Sequence, residues 1–288
     1  MQEHNLILKN VKSFNLTHIF ECGQCFRWNE NENGSYTGVV KSNVINIKKI
    51  NEDIYVKSFG EDDLEELFKN YFDMKRDYDK IKNKLRKIDE HMQKSILYGE
   101  GIRLLNQDLW ETIISFIISA NNNIPRIKGI IERISKTYGN KIVWNEQEYY
   151  TFPTPEQLGK ASVKDLRNIG LGFRDVRVFE TTQKVLNNEI DLHKLHAELD
   201  TEIVREKLLK LPGVGPKVAD CILLFSTLKR FNVFPIDVWV RRVMNELYIK
   251  NEDETKVDKK LILGVANEKF GDLCGIAQQY LFYWKREA

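Results

Sequence analysis

Four cysteines in 288 residues are too few for a disulfide scaffold. No apolar run approaches the roughly 18 residues that a spanning helix needs; the most apolar stretches run only from Ile113 to Ala120 and from Cys221 to Leu228. The first residues, Met1-Gln2-Glu3-His4-Asn5, lack the basic region and apolar segment of a signal peptide. An intracellular protein without a membrane span is therefore expected, in the cytoplasm or nucleoid if the cell is bacterial. Charge of one sign is also missing: 44 Lys and Arg against 42 Asp and Glu leave a net of +2. That balance neither demands nor excludes a nucleic-acid partner, because distribution decides. Residues 201–250 hold nine Lys or Arg and five Asp or Glu, a mild basic tilt. No fixed-period repeat and no low-complexity tract is present. Aromatics are plentiful, with 15 Phe, 11 Tyr and 5 Trp, so the chain has ample apolar surface for a folded core.

Apolar and polar residues alternate from Val39 to Ile50 and in Ile54-Tyr55-Val56. Asn33-Gly34 between such stretches is a strong hairpin signal. These patterns predict an antiparallel sheet with one face covered. After Gly60 the period changes. Asp62-Asp63-Leu64-Glu65-Glu66 opens a helical pattern with acids in its first turn, and helical spacing dominates to the end. The expected fold class is α+β: an antiparallel sheet domain with flanking helices over 1–104, then an all-helical domain over 105–288.

Cys22-Gly-Gln-Cys25 invites a redox or zinc reading. The redox reading needs a thioredoxin-like setting, and the zinc reading needs a second close pair, but the next Cys is Cys221. A structural pair remains the expectation. The five His are scattered and form no readable catalytic constellation.

Leu211-Pro-Gly-Val-Gly-Pro-Lys217 is the most informative segment. A helix ends near Lys210, two glycines turn the chain, and Pro216 suits the first turn of a new helix. Such a hairpin, over about 201–228, presents backbone N–H groups to a phosphate. The bland alternative is an ordinary helical corner. Lys217 in the first helical turn faces the positive end of the helix dipole, which favours its neutral, nucleophilic form. Asp237, just before the helical Val238 to Leu247, is a natural N-cap. An amine and a fixed carboxylate together form a Schiff-base apparatus, although Asp237 also serves as a simple cap.

The segment 211–220 followed by Val233-Phe-Pro-Ile-Asp237-Val resembles the helix–hairpin–helix DNA glycosylase motif. The match narrows to the 8-oxoguanine DNA glycosylases, in the larger type with an N-terminal sheet domain. Glu21-Cys-Gly-Gln-Cys-Phe-Arg-Trp28, Ser119-Ala-Asn-Asn-Asn-Ile-Pro-Arg126, Gly170-Leu-Gly-Phe-Arg174 and Ala277-Gln-Gln-Tyr-Leu-Phe282 carry it, in family order. Only Cys274 follows Asp237, so the iron–sulfur branch is excluded.

The resemblance implies excision of 8-oxoguanine by base flipping, then β-elimination at the abasic site, with no cofactor. Lys217 is the implied nucleophile, and Asp237 the carboxylate that steadies the sugar. Gly23, Gln278, Phe282 and Cys221 are implied to recognise the flipped base. Asn121 is implied to fill the gap, Phe173 to wedge beside it, and Arg126 and Arg174 to contact the opposite cytosine. Gly213, Val214, Gly215 and Trp239 are implied DNA contacts. The carbonyls of Leu209, Leu211 and Val214 are implied to suit a structural cation, with no catalytic metal. The implied partner is duplex DNA bearing 8-oxoguanine opposite cytosine, bound by a monomer. Phe173 replaces the family's usual Tyr, and Trp239 stands where a His is frequent. Two rivals stay open: a glycosylase of the same fold for another lesion, which Gly23 and Gln278 oppose, and a non-catalytic DNA-binding module, which Lys217 opposes.

Overall fold

The structure is a computed structural model and describes residues 1–287. Five strands form one antiparallel sheet: β1 (Gln2–Leu8), β2 (Trp28–Glu30), β3 (Tyr36–Val40), β4 (Asn43–Ile50) and β5 (Asp53–Gly60), in the order β1-β5-β4-β3-β2. Asn33 and Gly34 turn the chain between β2 and β3 as expected. Gly34 adopts φ +73, and the Asn33 side chain accepts the Ser35 amide at 3.0 Å. The alternation from Val39 to Ile50 is not one strand. Lys41 at φ +53 breaks it into a tight hairpin in which Val40 pairs with Asn43.

One sheet face is covered by the helices Leu16–Phe20 and Leu64–Tyr71. Phe20 stacks on Trp28 at 4.2 Å, and the Trp28 indole N–H donates to the Tyr71 hydroxyl at 3.0 Å. Trp28 fits only because position 38 is glycine: a Cβ there would lie 2.5 Å from the indole.

The second part is helical with one exception. A two-stranded hairpin, β6 (Lys141–Trp144) and β7 (Gln147–Tyr150), interrupts it, so the expectation of an all-helical domain needs this correction. Trp144 and Ile142 pack on Val39 and Val44 of the sheet, and the Trp144 indole N–H donates to Glu3 at 2.7 Å.

The hydrophobic cores do not divide at residue 104. Leu85, Met92, Ile96, Ile102 and Leu104 join the large helical core, whereas Leu105 packs under the sheet. Buried polar groups tie the two parts together. The Gln107 side-chain amide donates to the carbonyls of Gln24 at 2.7 Å and Phe225 at 3.0 Å. Lys229 donates to the carbonyls of Leu104 at 2.5 Å and Leu105 at 2.8 Å. Satisfied buried networks of this kind fix one arrangement, because each unmade bond is costly. Among the described residues no helix is long and apolar enough to cross a membrane.

Candidate active site and DNA-facing loops

The hairpin joins the helices Thr201–Leu208 and Pro216–Phe225. Val204 and Leu208 anchor the first in the core; Val218, Ala219 and Ile222 anchor the second. Gly213 turns the chain at φ +86 and lets it close on Arg177 and Ile117, which lie about 3 Å from where a Cβ would stand. The Val214 amide donates to the Leu211 carbonyl at 3.0 Å, so one of the three carbonyls considered for a cation also closes the turn. Gly215 starts the second helix, and no side chain caps it. The N–H groups of its first turn are thus left for an external acceptor.

Lys217 stands in that first turn, and Cys221 follows one turn later on the same side. The Lys217 ammonium lies 5.6 Å from the centre of the Phe116 ring. Across the cleft, Asp237 caps the helix Val238–Met244, one carboxylate oxygen accepting the Val240 amide at 2.8 Å. The cap leaves the other oxygen outside any hydrogen bond between described residues.

The groups around Lys217 act on its charge in both directions. Its pKa is raised, first by Cys221 and then by Asp237, against the opposing effect of burial. Burial pushes the Cys221 thiol up to about 11, so it stays neutral near pH 7. With that thiol neutral, burial and the carboxylate of Asp237 pull the amine in opposite directions.

A narrow pocket collects Gly23, Lys217, Cys221, Asp237, Gln278 and Phe282. All six were singled out in the sequence. Phe116, Phe225, Pro235 and Gln279 also line it and were not. The rings of Phe116 and Phe225 stack at 5.6 Å; their apolar spacing signalled a core, which is where most such residues lie. Gln278 is 4% exposed, and its Oε1 is buried with no hydrogen-bond partner. A stranded acceptor costs roughly 1–3 kcal/mol, so its presence points to a ligand that donates there.

Away from the pocket, two loops meet. Asn121 is exposed and holds a left-handed φ of +51 after the helix Leu109–Ser119. Its neighbours are occupied locally: Asn122 donates to the Ile118 carbonyl, and Asn123 caps the helix Ile124–Tyr138. Phe173 projects from the second loop and is 55% exposed. Arg126 is exposed, with its Nη2 beside Gly172. Val238 and Trp239 lie exposed on the helix start next to Asp237.

Arg174 does not occupy the position expected of it. It is 1% exposed, and its guanidinium is taken up by backbone carbonyls: Nε and Nη2 donate to Ala120 at 2.9 and 2.6 Å, Nη2 to Asn121 at 2.7 Å, and Nη1 to Leu171 at 3.3 Å. It braces the Asn121 loop and stacks under Phe173, whose ring centre is 4.2 Å from its Cζ. No sequence signal separates a bracing Arg from a contacting one.

Comparison with known proteins bears on this geometry. Residues 6–113 match the model for the N-terminal domain of 8-oxoguanine DNA glycosylase, and residues 114–266 match that of the HhH-GPD superfamily of base excision DNA repair proteins. A probable N-glycosylase/DNA lyase of Methanothermobacter thermautotrophicus is 32% identical over 78% of this chain and 76% of its own length. The N-glycosylase/DNA lyase OGG1 of Arabidopsis thaliana is 28% identical over 91% and 75% respectively. Among solved structures, the 8-oxoguanine glycosylase/lyase of Clostridium acetobutylicum was determined with double-stranded DNA containing cytosine opposite 8-oxoguanine. It superposes with a TM-score of 0.92 at 42% identity, covering 99% of this chain and 97% of that one. With both domain models matched in order, the chain belongs to the 8-oxoguanine DNA glycosylase family of the helix–hairpin–helix superfamily.

Proposed function

We propose that this enzyme removes 8-oxoguanine from duplex DNA, where it lies opposite cytosine, and then cleaves the abasic strand, with Lys217 as the nucleophile. The observation that carries the reading is the single pocket joining Lys217 and Asp237 to the unpaired Gln278 oxygen and to Gly23. Inside a duplex neither C1′ nor the base edge is reachable, so the nucleotide is flipped. Asn121 fills the vacated stack and Phe173 wedges beside it. The uncapped hairpin helix, with Gly213, Val214 and Gly215, takes a backbone phosphate. Trp239 offers an indole N–H to the same strand. Arg126, exposed beside this loop, reads the opposite cytosine, with Arg174 behind it.

In the pocket, Phe282 and Cys221 sandwich the flipped base, and Gln278 meets its Watson–Crick edge. Lys217, once deprotonated, attacks C1′ and the N-glycosidic bond breaks. The Asp237 carboxylate offsets positive charge developing on the sugar. The C1′–O4′ bond then opens, O4′ taking a proton, and the resulting iminium acidifies C2′–H, so that loss of that proton expels the 3′-phosphate. No metal takes part, and the carbonyls of Leu209, Leu211 and Val214 hold at most a structural cation. Such DNA places its work inside the cell, and the enzyme acts on it as a monomer.

The test is borohydride trapping on an 8-oxoguanine:cytosine duplex. The parental enzyme is expected to form a covalent adduct, and Lys217→Gln to form none while still binding the duplex through the hairpin backbone. An adduct with Lys217→Gln would show that another residue is the nucleophile.

A further inference from the structure

Two side chains of the last helix, Cys274–Glu287, grip the loop that carries Gly23. The Gln279 side-chain amide donates to the Cys22 carbonyl at 2.5 Å, and Gln279 is 2% exposed. Arg286 lies seven residues further along, two helical turns, and so on the same side. Its Nη2 donates to the Glu21 carbonyl, and its Cζ stands 5.1 Å from the centre of the Phe282 ring. Two successive carbonyls are thus held by donors from one helix, the helix that also bears Gln278 and Phe282. The next carbonyl, that of Gly23, accepts no hydrogen bond among the described residues.

Gly23 needs such holding. It sits at φ +83 in a stretch with neither helix nor strand, and glycine resists little by itself. Its missing side chain is also what admits the grip: a Cβ would stand 3.1 Å from Arg286 Nη1 and 3.5 Å from Phe282 Cε1. The oxidised base bears a hydrogen on N7 where guanine bears a lone pair. One carbonyl can tell them apart only if its oxygen is fixed, because a mobile acceptor would turn away from guanine without penalty.

We propose that Gln279 and Arg286 are positioning residues. They lock the Glu21–Gly23 backbone to the last helix and so set where the Gly23 carbonyl meets the flipped base. The cation over Phe282 holds that ring in the same frame. The inference rests on the lesion reading given above, and it makes discrimination a property of the helix that carries the whole base-reading set.

The experiment separates base recognition from strand cleavage. Single-turnover excision of 8-oxoguanine opposite cytosine is measured beside cleavage of a preformed abasic site, which needs no base pocket. Losing one well-placed hydrogen bond of about 1.4 kcal/mol corresponds to about tenfold. Arg286→Ala and Gln279→Met are each expected to slow excision by about that factor, while abasic cleavage stays within about twofold. Arg286→Lys keeps one donor for the Glu21 carbonyl and should recover most of the loss. On duplexes containing 7-deaza-8-oxoguanine, which carries C–H at position 7, the binding penalty of Arg286→Ala should disappear. Unchanged excision, an equal loss of abasic cleavage, or an equal penalty on the deaza analogue would each overturn the positioning role. A parental enzyme that leaves 8-oxoguanine in place but cleaves abasic sites would overturn both the lesion reading and this inference.

Discussion

Truncating Arg174 tests whether the brace behind the Asn121 loop is needed to flip a base. Arg174→Ala removes four hydrogen bonds that end on three carbonyls, those of Ala120, Asn121 and Leu171. A stranded carbonyl costs roughly 1–3 kcal/mol, less where water can replace the donor. Asn121 is exposed and Ala120 half-buried, so water can reach both, whereas Leu171 is fully buried. An opposing effect comes from the charge itself. Burial, and then Arg126 and Arg177, hold the Arg174 pKa below its ordinary value, so removing the cation relieves some repulsion. The net loss of stability is expected at about 3 kcal/mol, the low end of that range summed over three carbonyls. The functional loss should be larger. Without the brace, the Ala120 and Asn121 carbonyls lose their donor, and the loop relaxes away from the helix. Urea unfolding would give the stability. Fluorescence of 2-aminopurine beside the lesion, with Lys217→Gln as the parent to prevent turnover, would report flipping. Arg174→Ala should bind duplex yet lose most of the fluorescence change. Parental flipping would refute the reasoning, and so would parental flipping combined with a lost cytosine preference, which would make Arg174 a reader of the opposite base.

Gly23→Leu should lose excision but keep binding to undamaged DNA; a side chain at φ +83 meets Arg286 and Phe282 and displaces the carbonyl, and an excision rate equal to the parent would place discrimination elsewhere in the pocket. Arg126→Ala should flatten the preference for cytosine over adenine opposite the lesion by about 1–3 kcal/mol, read as a ratio of excision rates. Lys229 gives a pH test. Burial lowers its pKa from 10.5 to about 7, so between those values the unfolded chain holds a proton that the folded one has lost. Stability from this site must therefore rise with pH across that window. The difference in unfolding free energy between the parent and Lys229→Met should move in the parent's favour from pH 7 to 9, by up to about 1.4 kcal/mol per pH unit.

Much of the chemistry could be read from sequence because it is local. Lys217 and Cys221 share a helix face, Asp237 caps the next helix start, and the glycines of the hairpin mark its turn. The sheet was legible through alternation and Asn33-Gly34, but Lys41 was not, since a left-handed Lys leaves no compositional mark. β6 and β7 are four residues each and lie among helices, too short for a period to show. Gln279 and Arg286 escaped for a different reason. Their partners are backbone carbonyls more than 250 residues away in sequence, and a carbonyl has no letter. Arg174 was misplaced on the same ground: two of the three carbonyls that claim it, those of Ala120 and Asn121, lie in a loop that only the fold brings to it.

The four cysteines are all buried and unpaired, and burial raises the pKa of each thiol. Peroxides attack the thiolate and scarcely touch the thiol. With Cys221 at about 11, roughly one molecule in ten thousand carries that thiolate at pH 7. A peroxide therefore meets almost no thiolate beside Lys217, and the thiol that lines the pocket stays in its reduced form.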